Sequence, residues 1–143
     1  MLRSILVSVL LAFPLAAQAG DLVLKDIKAQ NGVQLSKDEL NRLMPNAKVT
    51  NYITGGSRWW TNEPDGKVVA YSDVGRGMKK LMTPATAQGT WHIGKIGTYC
   101  VALEWPRRTE KWCRYIFRIG GKYYGVKSVD DGDEIALEFE FSK

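Results

Sequence analysis

The clearest pattern of apolar and polar positions lies at the C-terminal end of the chain. Ile135, Leu137, Phe139 and Phe141 alternate with Ala136, Glu138, Glu140 and Ser142. A period of two describes a strand with one dry and one wet face. Other β-type segments precede it at residues 48–54, 58–61, 67–72, 91–93, 99–105, 111–119 and 122–126. They are rich in Val, Ile, Tyr and Trp, and turn formers separate them: Gly55-Gly56, Glu63-Pro64-Asp65-Gly66, Gly94 with Gly97, Pro106-Arg107-Arg108 and Gly120-Gly121. Short strands with regular turns predict a mainly β fold, an antiparallel meander. Closing that meander into a barrel would remove its exposed edges.

One helix is predicted, and it is short and N-terminal. Ser36 is a good N-cap, and Glu39 three residues later completes a capping box. Leu35 and Leu40 stand at the staple positions. Asp38 and Glu39 suit the positive end of the helix dipole. Leu40, Leu43 and Met44 form an apolar stripe, and Pro45 stops the helix near Met44. Residues 21–34 carry a weaker signal, in which Leu22-Val23-Leu24 reads as an entry strand or a packed lead-in. Residues 74–88 show no periodicity and read as a long basic loop, a class often functional in compact domains.

The first 19 residues change the reading of the whole. Arg3 is a short positive region, residues 5–13 are nearly all apolar, and Ala17-Gln18-Ala19 matches a signal-peptidase site. This predicts a cleaved export signal with no membrane anchor left after cleavage. A single β-rich domain would then span residues 20–143, in the periplasm or secreted. The chain of 143 residues carries a formal charge of +5. Arg3 is the only charge lost with the signal, so the exported part is modestly basic. Nucleic acid is not an expected partner for such a chain.

Two cysteines and one histidine bound the chemistry. An even cysteine pair in an exported chain predicts a disulfide, Cys100 to Cys113, worth about 3 kcal/mol in the chain-entropy picture. A structural bridge fits better than redox chemistry, because there is no C-x-x-C pair. Pairing these residues across neighbouring strands would place Trp105 opposite Arg108. Pro106 fits a primed two-residue turn poorly, so a longer loop or a bulge is expected there. His92 is the only imidazole and reads as a strand residue on the face opposite Trp91, which weighs against a His-dependent triad. Glu104 and Glu110 flank a turn with Arg107, Arg108 and Lys111, and read as solvated ion pairs rather than a catalytic acid pair. The acids of residues 130–134 lack the spacing of a calcium loop. Gly75-Arg76-Gly77 lacks the following helix a phosphate loop needs. No enzyme activity, metal or cofactor is expected.

Binding residues remain. Of the five tryptophans, adjacent Trp59 and Trp60 must point to opposite faces of a strand. One belongs to the core, and the other can stack on a sugar ring or join an interface. Arg76, Lys79 and Lys80 in the 74–88 loop could meet an anionic partner.

In order along the chain, Leu35-Ser36-x-x-Glu39-Leu40-x-x-Leu43, Gly89-Thr90-Trp91, Tyr99-Cys100-Val101 and Trp112-Cys113-Arg114 followed by Tyr123-Tyr124 resemble a family of small exported proteobacterial proteins catalogued as a domain of unknown function. That resemblance assigns no activity and no catalytic residue. Gly89-Thr90-Trp91 is also similar to the Gly-x-Trp of lipocalins. In lipocalins the motif lies near the first barrel strand, whereas here it lies mid-domain, so the similarity is one of architecture. The expectation is a lipocalin-like barrel serving as a non-enzymatic binding module for a small molecule or envelope component, with its ligand in the barrel mouth or against the 74–88 loop. The alternative is a protein–protein module, such as a hydrolase inhibitor or assembly partner.

Overall fold

A computed structural model describes residues 21–75 and 84–143. Eight strands form a closed antiparallel barrel: β2 (Lys48–Ile53), β3 (Gly56–Thr61), β4 (Lys67–Ser72), β5 (Ala85–Ile93), β6 (Tyr99–Trp105), β7 (Arg108–Ile119), β8 (Lys122–Val126) and β9 (Leu137–Ser142). Each strand pairs with the next, and β9 returns to β2, with Asn51 opposite Phe139. This is the up-and-down closure that removes barrel edges. A two-residue strand, β1 (Val33–Gln34), pairs with Arg118 and Phe117 of β7 beyond the point where β6 begins. The alternation read in β9 holds for Leu137, Phe139 and Phe141, which pack into the barrel core. Ile135 precedes the strand, bridges to Val23 and is 52% exposed.

Two short helices serve two separate cores. Helix α2 (Lys37–Leu43) starts as its sequence predicts: the Glu39 N–H donates to Ser36 Oγ at 3.1 Å. It stops one end of the barrel, burying Leu35, Leu40 and Met44 against Val49, Trp60, Tyr99 and Val101. Helix α1 (Leu24–Ala29) corrects the expectation of a single helix, while Leu22 and Val23 form the packed lead-in, Val23 bridging to Ile135. Its six residues offer only Leu24 and Ile27 as an apolar face, too few to show a helical period. Asp26 accepts from the Val23 N–H at 3.2 Å and caps it. Leu24 and Ile27 pack outside the barrel on Phe117, Val126 and Ala136.

Aromatic side chains fill the barrel. Trp60 on β3 and Trp112 on β7 meet across it at 6.3 Å between ring centroids. Tyr99, Phe139 and Phe141 complete the cluster at 5.6–5.9 Å spacings. A buried polar chain runs through it: Trp60 Nε1–H donates to Tyr99 Oη at 2.9 Å, and the Tyr99 hydroxyl donates to Asn62 Oδ1 at 2.6 Å. Asn62 Nδ2 then donates to the Met44 carbonyl at 3.1 Å, tying the barrel to the end of α2. Trp60, Tyr99 and Asn62 therefore satisfy one another inside the plug, as buried indoles, phenols and amides require.

The disulfide Cys100–Cys113 joins directly opposed residues of β6 and β7. Trp105 faces Arg108, so Pro106-Arg107 is a two-residue turn after all, and the expected longer loop or bulge is not there. Neither residue takes a positive φ, so the turn is not of the primed kind and Pro106 is tolerated at its first corner. Residues 85–88, read as part of a long loop, belong to β5, where Ala85 to Gln88 pair with Ser72 to Val69 of β4. Their small and polar side chains carry little strand signal; the partner strand decides.

Candidate functional site

The alternation of β3 settles which tryptophan is which. Arg58 and Trp60 point inward, at 5% and 3% exposure, while Trp59 points outward. Outside, the register lines up one row across three strands, with Thr50 opposite Trp59 and Trp59 opposite Tyr71. The Trp59 and Tyr71 rings are near-parallel, 18° apart in plane and 6.0 Å between centroids. Tyr52 and Val69 extend the exposed patch, and the Tyr52 hydroxyl donates to Glu140 Oε2 at 2.9 Å.

A break in the wall deepens this patch. The β3–β4 ladder consists of Arg58–Ser72 and Trp59–Tyr71. Farther along, the strands separate until the Glu63 N–H donates to the Lys67 carbonyl at 3.1 Å and closes the hairpin. A cleft of about 520 Å³ lies there. Its walls include Trp59, Tyr71 and Val69, with Thr50, Thr61 and Lys48 as polar groups, and Trp60 and Val68 reach it from the core side. Lys67 pairs loosely with Asp65 at 3.7 Å, whereas Lys48 has no ion-pair partner among the described residues. Aromatic faces ringed by a few hydroxyl and ammonium donors are the composition of a small-molecule site.

The interior at the end away from α2 is polar but committed. Glu110 faces inward with Trp112 and Arg114 and forms a two-point ion pair with buried Arg58, one contact being Arg58 Nη1 to Glu110 Oε2 at 3.2 Å. Trp105 Nε1–H donates to Glu110 Oε1 at 2.8 Å, and its ring lies 5.3 Å below the Arg58 guanidinium. Burial, reinforced by Arg108, lowers the Arg58 pKa to about 10. This corrects the reading of Glu110 as a solvated partner of its turn neighbours. The two-residue turn fixes the phase of β7, and that phase turns Glu110 inside. Glu104 does stay outside and exposed.

Of the residues singled out from sequence, Trp59 lies in the cleft and Trp60 forms its inner wall. Arg76, Lys79 and Lys80 lie outside the described residues. His92 is exposed on the outer face of β5, opposite Cys100. Tyr71, Thr50 and Lys48 escaped the sequence reading, because only the strand register brings them beside Trp59. Among the described residues no group of three or more His, Cys, Asp or Glu is arranged to hold a metal, and no helix is long and apolar enough to cross a membrane. Comparison of the chain with protein-family models, curated proteins and solved structures finds no match.

Proposed function

We propose that this protein is an exported, non-enzymatic binding module that recognises an envelope component, a saccharide, on the outer wall of its barrel. The observation that carries the reading is the cleft holding the Trp59–Tyr71 pair. The barrel's aromatic filling supports a ligand position on the outer wall rather than in the expected barrel mouth. The C–H faces of a pyranose ring are apolar and its rim is hydroxylated. Near-parallel aromatic faces beside Thr50, Thr61 and Lys48 match both features. Export is part of the proposal and is supported by the signal-like residues 1–19 and by a formed disulfide, which persists in oxidising compartments.

The test is a titration of the protein with short glucan, galactan and N-acetylglucosamine oligomers, followed by tryptophan fluorescence and backbone amide shifts. One class should bind saturably, with shifts confined to β2, β3 and β4. Trp59→Ala should weaken binding by about tenfold, the loss expected for one aromatic stacking contact. Failure of every oligomer to perturb those strands, or equal affinity in Trp59→Ala, would overturn the reading.

A further inference from the structure

A second cleft, of about 380 Å³, lies where the middle of β7 meets the β8–β9 connection and the start of β9. Arg114, Lys127, Asp133, Glu134, Ile135 and Leu137 line it. Arg114 points inward from β7 and is 9% exposed. Its Nε is buried without a hydrogen-bond partner, and no carboxylate lies within ion-pair distance of its guanidinium among the described residues. Its guanidinium lies over the face of Trp112, at 5.9 Å. A buried cation without a carboxylate in ion-pair contact is costly, and buried charges are as a rule paired. Arg58 is likewise inward-facing and buried, and its Nε too lacks a partner, but its terminal nitrogens hold the Glu110 carboxylate, and those of Arg114 hold none.

We propose that this cleft binds an amphiphilic anion, a carboxylate or phosphate head on an aliphatic chain, with Arg114 holding the head. The charges around the cleft leave room for one. Asp133 is held by Lys25 at 2.9 Å. Glu134 is then the one uncommitted acid, facing two cations, Arg114 and Lys127. Burial lowers the Arg114 pKa, and Glu134 acts in the opposite direction without forming an ion pair. A guanidinium offers its donors as a planar fork that matches the two oxygens of a carboxylate or phosphate. The aliphatic part has its own surface. Ile135 is 52% exposed beside Leu137, an apolar wall that a purely inorganic anion would leave wet. The site is separate from the Trp59 cleft, and neither reading depends on the other.

The experiment follows the Arg114 Nε–Hε resonance of the wild-type protein, assigned by its loss in Arg114→Lys. The probes are octanoate, octyl phosphate, inorganic phosphate and octanol, each below its aggregation threshold. Octanoate or octyl phosphate should shift the resonance saturably, and the tighter of the two identifies the head group. Inorganic phosphate should bind roughly tenfold more weakly, and octanol should not shift the resonance. Arg114→Lys should weaken amphiphile binding by roughly tenfold, read from the Leu137 amide. Glu134→Gln should tighten it by about fivefold, since it removes a like charge beside the anion. Absence of a saturable shift, equal affinity for inorganic phosphate, or unchanged affinity in Arg114→Lys would overturn the proposal. If Arg114→Lys does not fold, the more exposed Glu134→Gln and Lys127→Gln carry the test, with opposite signs: loss of affinity in Glu134→Gln or gain in Lys127→Gln would refute it.

Discussion

Gly89→Ala tests why the Gly89-Thr90-Trp91 motif begins with glycine. Gly89 sits in β5 opposite Leu103 of β6. A Cβ added there would lie 1.8 Å from the Ala102 carbonyl oxygen, 2.8 Å from its carbon and 3.1 Å from the Leu103 Cα. Every one of these is a backbone atom, so no side chain can rotate away. Relief requires β5 and β6 to move apart by more than an ångström within a ladder that runs from Gln88 to Ile93. Overpacking usually costs 1–3 kcal/mol, and sometimes more when the backbone must shift. The entropic benefit of replacing glycine, about 0.4–1 kcal/mol, offsets only part. We expect a net loss of about 3 kcal/mol, a large fraction of the stability of a domain this size. In urea, with a slope of about 2 kcal/mol per molar, the midpoint should fall by about 1.5 M. Gly121→Ala is the matched control, because nothing lies within 4 Å of its added Cβ. The reasoning fails if Gly89→Ala unfolds within about 0.5 kcal/mol of wild type, or if the control loses as much.

The adjacent tryptophans should behave oppositely: Trp60→Ala should cost about 3–5 kcal/mol in urea unfolding, whereas outward Trp59→Ala should stay within about 1 kcal/mol. Glu110→Ala leaves Arg58 buried without its carboxylate and should cost about 3–5 kcal/mol by the same assay, while a double replacement of Arg58 and Glu110 by Met and Leu should recover most of it. Tyr99→Phe leaves Trp60 Nε1 and Asn62 Oδ1 without the phenol and should cost about 1–3 kcal/mol at neutral pH. Burial, outweighing the hydrogen bonds with Trp60 and Asn62, raises the Tyr99 pKa well above its ordinary 10.0. Above that ordinary value the unfolded chain loses the Tyr99 proton while the folded protein keeps it, so wild type loses stability. The gap to Tyr99→Phe should therefore narrow by about 1.4 kcal/mol per pH unit above pH 10, measured by denaturation from pH 8 to 11; a constant gap would count against a buried neutral phenol. Replacing both Cys100 and Cys113 by Ser should lower stability by about 3 kcal/mol, and intact protein should show no free thiol in non-reducing mass analysis.

Much of the barrel was legible in the chain because its signals are local. β4, β6 and β8 coincide with their sequence segments, since each is a β-branched or aromatic run between Gly or Pro turns. Ser36 and Glu39 mark the start of α2 within a span of four residues. The misses have a common cause. The helix at Leu24–Ala29 has two buried apolar residues whose meaning depends on Phe117 and Val126, 90 to 102 residues away in sequence. Residues 85–88 become strand because β4 offers its edge. The candidate site was half visible: the Trp59-Trp60 pair said that one ring faces out, and nothing in the local text named Tyr71 as its neighbour.

By itself, then, the sequence determined the existence and order of the strands, the cap of α2, the opposition of Trp59 and Trp60, and the cysteine pair. These follow from backbone periodicity, turn chemistry and cysteine count, which act over a few residues. Only the tertiary structure decided which faces point inward and what they meet. The two-residue turn at Pro106-Arg107 sets the phase of β7 and sends Glu110 to Arg58. The inward phase of β7 also brings Trp112 to Trp60, filling the barrel with aromatic rings. The β3–β4 register sets Tyr71 beside Trp59, and the parting of those strands opens the cleft. Each outcome depends on register between strands, and a slip of one residue would turn every one of those side chains to the other face.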